Sequence, residues 1–169
     1  MLRPRIIPCL LIHKGGLVKT RGFKDPKYVG DPINAVRIFN EKEVDELMFF
    51  DIDATVNKQS PNYKIIEDIA SECFMPLCYG GGVKTIDQMK KIFSLGVEKI
   101  SISSAAILNP NLIKEAAEIF GSQSVVATID IKKDIWGRKR VFINNGKINT
   151  KINPIEFSQR LGILGAGEI

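Results

Sequence analysis

The sequence predicts an α/β fold built on a parallel sheet, and three observations support this. Short apolar or β-branched runs alternate five times with longer amphipathic stretches, at spacings of roughly 25 to 45 residues. Most of the amphipathic stretches open with helix-capping residues. Two neighbouring apolar runs also end in very small residues. Such a repeat forms either an α/β barrel or a doubly wound sheet, and no Gly-x-Gly-x-x-Gly pattern follows the first run, which disfavours a dinucleotide-binding sheet.

The first predicted strand covers residues 5–12, because a continuous apolar run of this length suits a strand buried inside a parallel sheet. The segment 13–30 that follows is too long for an ordinary strand-to-helix connection, and we expect it to form a mobile lid loop. Further strands are predicted at the later apolar runs, over 46–53, 75–79, 97–103 and 124–131.

Helices are predicted where a capping residue precedes a proline or where a capping box opens an amphipathic stretch. Thr85 and Gln88 form such a box, and Gly96 ends the stretch that follows. The cap-and-proline starts are Asp31-Pro32, Ser60-Pro61, Asn109-Pro110 and Asn153-Pro154. The five predicted helices end at about residues 43, 73, 95, 121 and 161.

The pattern changes after the fifth strand. Asn145-Gly146 lies between two short β-type runs, 140–143 and 147–150, and predicts a two-residue hairpin turn in an antiparallel insertion at about 132–150. Residues 167–169 have the pattern of the first step of a sixth strand. A barrel of this kind needs eight strands in ~250 residues. We therefore expect residues 1–169 to form the N-terminal portion of one barrel, covering about strands 1–5 and the start of strand 6.

Composition excludes several classes of protein. The chain has 169 residues, of which 44% are hydrophobic and 25% charged, as expected for one globular domain. Its apolar runs are too short to span a membrane and no apolar signal segment begins it, so we expect a cytoplasmic protein without membrane contact. Three cysteines without Cys-x-x-Cys spacing and a single histidine predict reduced thiols and no metal site.

The net charge of +5 permits a nucleic-acid partner, but most basic residues are spread along the chain. One cluster is formed by Lys132, Lys133, Arg138, Lys139 and Arg140. We interpret it as a solvated loop and expect no nucleic acid, which would require a basic patch with interleaved aromatic residues.

Two strand ends carry the residues expected of a phosphate site. Gly80, Gly81 and Gly82 close the third strand, and small residues over 103–106 close the fourth. Because the carboxyl ends of parallel strands meet at one edge of the sheet, we expect these small residues to surround a bound phosphate. The alternative is that the glycines only form a tight turn.

Several blocks of the chain resemble one enzyme family. These are RIIPCL, AVRIFNEKEVDELMFFDID, YGGGVKTIDQMKKIFSLGVEKISISSAA, VVATIDIKK and GAGEI. At similar spacings they resemble the cyclase subunit of imidazole glycerol phosphate synthase, a (β/α)8 TIM barrel of histidine biosynthesis. The resemblance implies a glutaminase partner that supplies ammonia, and a bis-phosphorylated ribonucleotide substrate held by two phosphate cradles. It implies no cofactor.

The resemblance also implies site residues. Gly82, Ser103 and Ser104 match the first phosphate cradle, although the family usually has Asn-Thr where the two serines stand. Lys19 in the first loop and Asp51 at the end of the second strand match polar positions of the substrate pocket. A solvated lid charge is the alternative for Lys19.

The predicted chemistry depends on two acidic positions, of which one is kept. Asp130 matches the second aspartate of the family's acid–base pair, with a loop-capping carboxylate as the alternative interpretation. The first strand of the family supplies the other aspartate, but this chain has Leu11 there. Leucine cannot transfer a proton, so Leu11 removes a group that general acid–base catalysis of the ring closure needs.

Charged residues begin four of the predicted strands. They are Arg5, Glu46, Lys99 and Glu168. In a parallel barrel these strand starts gather at the bottom, and buried charges must be paired, so we expect two cations and two anions to meet there. The alternative is four unrelated solvated strand ends. The resemblance implies that the four residues form the charged gate through which ammonia enters the barrel.

Because the gate is kept and the acid is lost, the sequence favours a divergent relative of the cyclase. In this interpretation the chain resembles divergent homologues found with sugar-modifying genes. The resemblance implies that, together with a glutaminase, it channels ammonia to an amidotransferase that amidates a surface-polysaccharide or flagellin sugar. The alternative enzyme is a histidine-biosynthesis cyclase, which forms imidazole glycerol phosphate and aminoimidazole carboxamide ribotide. A third interpretation is a non-catalytic barrel that binds a phosphorylated metabolite.

Overall fold

The computed structural model describes residues 4–169, which form a curved parallel sheet with helices packed on it. The strands are β1 (Cys9–His13), β2 (Gly16–Arg21), β3 (Lys24–Gly30), β4 (Leu47–Asp51), β5 (Leu77–Gly80), β6 (Lys99–Ile102), β7 (Val125–Ala127), β8 (Asp130–Lys133), β9 (Lys139–Ile143) and β10 (Ile148–Asn149). The helices are α1 (Pro32–Glu41), α2 (Tyr63–Glu72), α3 (Ile86–Ser94), α4 (Ser104–Leu108), α5 (Asn111–Phe120) and α6 (Pro154–Ile163).

The main sheet has the strand order β3-β2-β1-β4-β5-β6-β7. Strands β1, β4, β5, β6 and β7 are parallel, and a parallel bridge between Val126 and Glu168 extends the sheet. The predicted α/β fold with a parallel sheet is therefore confirmed, and the bridge lies where a sixth strand is predicted to begin. The sheet does not close into a full barrel within residues 4–169.

Successive side chains of the parallel strands point alternately into the core and toward the inner face of the sheet. Ile12, Phe49 and Ile100 are almost fully buried and belong to one apolar cluster with residues of α1, α2, α3 and α5. Their chain neighbours Leu11 and Ser101 line a cavity instead. Because successive side chains of a strand point to opposite faces, the same strands build both the core and the cavity wall.

The helix starts follow the predicted capping chemistry in most cases. Asp31 accepts a hydrogen bond from the backbone N–H of Asn34 at 3.0 Å, and Thr85 and Gln88 form the reciprocal capping box. Asn153 caps α6. The predicted start of the second helix at Ser60 is wrong, because Asn62 caps α2.

The segment predicted as a mobile lid loop forms a β-hairpin. Strand β2 pairs antiparallel with both β1 and β3. Lys14 and Gly15 have φ values of 50° and 80°, which a two-residue turn between right-twisted strands requires. Leu17 and Val18 are buried and anchor the hairpin. Strand β3 is exposed, and its residues do not alternate between apolar and polar in the way that identifies a strand.

The predicted fifth strand is two separate strands. Strand β7 ends at Ala127, and β8 begins at Asp130 and joins a second, antiparallel sheet of order β10-β9-β8. This sheet occupies the region of the predicted insertion. Its turn is longer than the predicted two residues, because Ile143 pairs with Ile148 and four residues lie between them. The short helix α4 was not predicted.

Candidate functional site

A cavity of about 710 Å³ lies at the carboxyl ends of the parallel strands. Two residues within β1 and residues at or just after the ends of β4, β5, β6 and β7 form its wall, together with residues of the β2–β3 and β9–β10 hairpins. Of the predicted substrate and acid–base residues, the structure brings five to this cavity: Asp51, Gly82, Ser103, Ser104 and Asp130.

Gly82 is held where no larger residue fits. Its φ is +72°, and a Cβ added there would lie 2.8 Å from the Cβ of Ala54 and 3.0 Å from the carbonyl oxygen of Gln59. Its backbone N–H donates a hydrogen bond to Thr55 Oγ1 at 3.3 Å. The glycine therefore forms a tight turn against the loop after β4, and that turn is itself part of the cavity wall.

The two predicted serines line the same cavity between the end of β6 and the start of α4. Ser103 Oγ is buried and has no hydrogen-bond partner within the described part of the chain. Ser104 is the first residue of α4 and lies beside it on the wall. A buried hydroxyl without a partner costs free energy unless a ligand satisfies it. The arrangement therefore suits an oxygen-rich anion, although phosphate binding stays a prediction.

Two carboxylates face the cavity from different strands. Burial raises the pKa of Asp51, and hydrogen bonds from the backbone N–H groups of Asp53 and Ala54 only partly offset this effect. Burial also raises the pKa of Asp130. Leu11 lies on the same cavity wall. The structure thus places two aspartates and one leucine around the space where acid–base chemistry is predicted.

Lys19 is the predicted pocket residue that the structure does not bring to the cavity. It is exposed on β2, and its neighbour Thr20 lines the wall instead. The segment is a β-strand, in which adjacent side chains point to opposite faces, so Lys19 and Thr20 face opposite sides. A contact of Lys19 with substrate stays a prediction.

Other wall residues could not be assigned from the sequence. Lys58 and Lys84 place two ammonium-bearing side chains on the wall. Asn145, in the turn after β9, lines the cavity and donates a hydrogen bond to the carbonyl oxygen of Ile52 at 2.8 Å. The Asn145-Gly146 turn was recognisable in the sequence, but its position over the cavity was not.

The four charged strand starts meet at the other end of the sheet. Lys99 Nζ lies 2.6 Å from Glu46 Oε2 and 2.9 Å from Glu168 Oε1, and Arg5 lies 3.3 Å and 2.9 Å from the same two oxygens. Partial burial acts to raise the pKa of Glu168, but the hydrogen bonds from Lys99 and Arg5 outweigh it and lower that pKa. The predicted meeting of these residues is confirmed. Their role as a gate stays a prediction.

Comparison with known proteins assigns the family. The chain matches the histidine biosynthesis protein family over residues 5–169. The chain belongs to this family. All of it aligns with the "Putative imidazole glycerol phosphate synthase subunit hisF2" of Pseudomonas aeruginosa at 59% identity, covering 67% of that protein. This HisF-like chain therefore has the fold of the TIM-barrel class that its strand order suggests.

Other relatives agree with this assignment. The whole chain is 54% identical to the "Putative imidazole glycerol phosphate synthase subunit hisF3" of Vibrio vulnificus, covering 65% of it. It is 44% identical to the imidazole glycerol phosphate synthase subunit HisF of Clostridium botulinum strain Okra, covering 67% of it. The chain thus spans about two thirds of the length of these relatives. Between residues 4 and 169, no helix is both long and apolar enough to cross a bilayer.

Proposed function

We propose that this HisF-like chain receives ammonia from a glutaminase subunit and channels it for the amidation of a surface-polysaccharide or flagellin sugar. The family assignment points to a cyclase or lyase type of enzyme subunit. The observation that carries the divergent role is Leu11 on the cavity wall, where the resemblance implies a catalytic aspartate.

The charge cluster supports the proposed entry of ammonia. Its four residues, Arg5, Glu46, Lys99 and Glu168, lie at the amino ends of the strands, at the end of the sheet opposite the cavity. The Glu46 side chain is 2% exposed and the Lys99 side chain 15% exposed. Charges buried to this degree are stable only while they remain paired. A docked partner subunit that separates them would therefore open a polar passage between the strands.

A polar connection between the cluster and the cavity further supports the proposal. Ser101 lies two residues beyond Lys99 on β6 and therefore faces the same side of the sheet. Its hydroxyl lies 2.5 Å from the hydroxyl of Thr128, and both residues line the cavity. Hydroxyl groups can donate to and accept from ammonia, so they suit a path for a small polar molecule.

The residues on the cavity wall favour a phosphorylated substrate. Gly82, Ser103 and Ser104 provide a backbone turn and two hydroxyls, and Lys58 and Lys84 add positive charge to the wall. Hydroxyls and cationic side chains are the groups that bind phosphate oxygens. A sugar carried on a phosphate or nucleotide fits this chemistry as well as the ribonucleotide does.

The second candidate is the histidine-biosynthesis cyclase itself. Asp51 and Asp130 both face the cavity, and burial raises the pKa of each, as it does for a carboxyl that acts as a general acid. Leu11 argues against this candidate because it leaves the ring closure without one of the two groups of the family's acid–base pair.

Deleting the gene in its source organism tests the proposal. Mass spectrometry of the surface polysaccharide and flagellin should show loss of the amide group from a sugar, with the parent carboxylate in its place. The full-length gene should restore the amide, and histidine auxotrophy should not appear. A strain that keeps every sugar amide and requires histidine would contradict the amidation role and favour the cyclase.

A further inference from the structure

His13 is the one histidine of the sequence, and it stands on the cavity-facing side of β1. Cys9 and Leu11 line the cavity, whereas Leu10 and Ile12 pack with the core. Side chains of a strand alternate, so His13 follows Leu11 on the same face, one step nearer the strand's carboxyl end. It therefore lies just beyond the residues that line the cavity, at its rim, two residues from the position where the resemblance implies an aspartate.

Asp53 fixes the imidazole ring of His13. The Nδ1 atom of His13 lies 2.7 Å from Asp53 Oδ1, and the other carboxylate oxygen accepts a hydrogen bond from the backbone N–H of Lys14 at 2.7 Å. A carboxylate only accepts hydrogen bonds, so Nδ1 carries the proton of this contact. The second nitrogen, Nε2, is then the atom of the neutral ring that can accept a proton.

The pair is connected to the cavity carboxylate. The backbone N–H of Asp53 donates to Asp51 Oδ1 at 2.9 Å, and Asp51 lines the cavity. Asp51 stands beside Ile12 in the parallel pairing of β1 with β4. The His13 side chain is 26% exposed, so its ring is neither sealed in the core nor free in solvent. His13, Asp53 and Asp51 thus form one linked group at the rim.

We infer that His13 is the proton-transfer residue of this cavity, in place of the carboxylate lost at position 11, and that Asp53 is its positioning residue. The inference rests on the proposed function in one respect, namely that ammonia reaches the cavity. A histidine held by a carboxylate through Nδ1 is the arrangement that enzymes use to accept and return a proton at neutral pH.

The proton transfer accompanies addition of ammonia to the acyl carbon of an acceptor whose carboxyl group is already activated, as an ester or an acyl phosphate. The nitrogen lone pair forms the N–C bond, and the π electron pair of the carbonyl moves to its oxygen. One N–H bond of the added nitrogen then breaks, its electron pair stays on nitrogen, and the proton passes to His13 Nε2. The carbonyl double bond then re-forms, and the C–O bond to the activating group breaks with its electron pair on the leaving oxygen. The imidazolium gives its proton to that oxygen, so the amide and the free alcohol or phosphate are the products.

Nitrogen NMR of the ring tests the geometry without any activity. Because the sequence has one histidine, a histidine-labelled protein gives a single pair of ring signals. In its unprotonated form, the ring in the full-length protein should carry its proton on Nδ1, and Asp53→Asn should shift the population toward the Nε2-protonated form. A wild-type ring protonated on Nε2 would overturn the inference.

Complementation of the deletion strain tests the role in function. His13→Asn keeps a donor in the place of Nδ1, so it retains the contact to Asp53 but cannot transfer a proton. It should restore the sugar amide at least about 100-fold less efficiently than wild type, the scale of general acid–base catalysis. Lys64→Gln, on the exposed face of α2, should restore it fully.

The outcomes separate the two proposals. Full restoration by His13→Asn overturns the role of His13 and leaves the proposed function standing. A deletion strain that keeps its sugar amides overturns the proposed function, and the ring tautomer then decides the inference about His13. A thermal melt of His13→Asn that matches wild type shows that loss of function is not loss of fold.

Discussion

Replacing Lys99 with methionine should destabilise the protein markedly, because it leaves the buried carboxylate of Glu46 without its nearest cation. Glu46 is 2% exposed, and Lys99 Nζ lies 2.6 Å from its Oε2 atom. Removing one partner of a buried ion pair costs about 3–5 kcal/mol. Arg5 remains 3.3 Å from the same oxygen, but its side chain is half exposed, so we expect a loss near the lower limit, about 3 kcal/mol.

Urea and thermal unfolding of the full-length protein measure this loss. For a chain of 150 to 250 residues, each 1 kcal/mol shifts Tm by about 2–4 °C, so Lys99→Met should lower Tm by about 6–12 °C. Replacing Glu46 with leucine in the same protein should recover most of the loss, because no buried charge is then left unpaired.

A matched surface pair gives the control. Lys64 and Asp68 form an exposed pair on α2, with side chains 77% and 46% accessible to solvent. Lys64→Met should leave the free energy of unfolding essentially unchanged, because an exposed ion pair contributes little to stability. If Lys99→Met lowers the free energy of unfolding no more than this control does, Lys99 does not stabilise the buried charge of Glu46. That result would refute the reasoning about the cluster.

Three further predictions concern the cavity and the cluster. Gly82→Ala should lower the free energy of unfolding, measured in urea, by about 1–3 kcal/mol and weaken binding of inorganic phosphate. The reasons are the φ of +72° at Gly82 and the 2.8 Å between an added Cβ and the Cβ of Ala54. Unchanged stability would contradict the assigned turn. Glu168 has a lowered pKa, so its stabilising contribution is present above the ordinary glutamate pKa of 4.5 and is lost as pH falls below it. In Glu168→Gln the free energy of unfolding should therefore fall less steeply with decreasing pH in the acid range. An unchanged slope would contradict this. Asn145→Ala removes the hydrogen bond to Ile52 and should increase amide hydrogen exchange in the β9–β10 turn, whereas unchanged exchange would show that the turn is held in another way.

The parts that follow local rules could be predicted from the sequence. The caps at Asp31, Thr85 and Asn153 depend on residues within one helical turn, and the structure contains all three. The charge cluster could also be predicted, although its members are up to 163 residues apart. Parallel strands bring their amino ends together, so the position of each charge at a strand start was sufficient.

The parts that depend on loop packing could not be predicted. Strand β3 pairs with β2 through its backbone, and its exposed side chains give no alternating signal. Asn145 reaches Ile52 across 93 residues, and the contact of His13 with Asp53 spans 40. Neither contact follows from strand order, because both partners lie in turns or at strand ends whose paths depend on tertiary packing.

One assay tests most directly the claim that Leu11 has removed the cyclisation chemistry. The full-length protein is mixed with its glutaminase, glutamine and the bis-phosphorylated ribonucleotide, and imidazole glycerol phosphate is measured by mass spectrometry. We expect product formation at least about 100-fold below that of a histidine-pathway cyclase, and an increase when Leu11→Asp restores the carboxylate. Wild-type turnover at the rate of the pathway enzyme would contradict the claim.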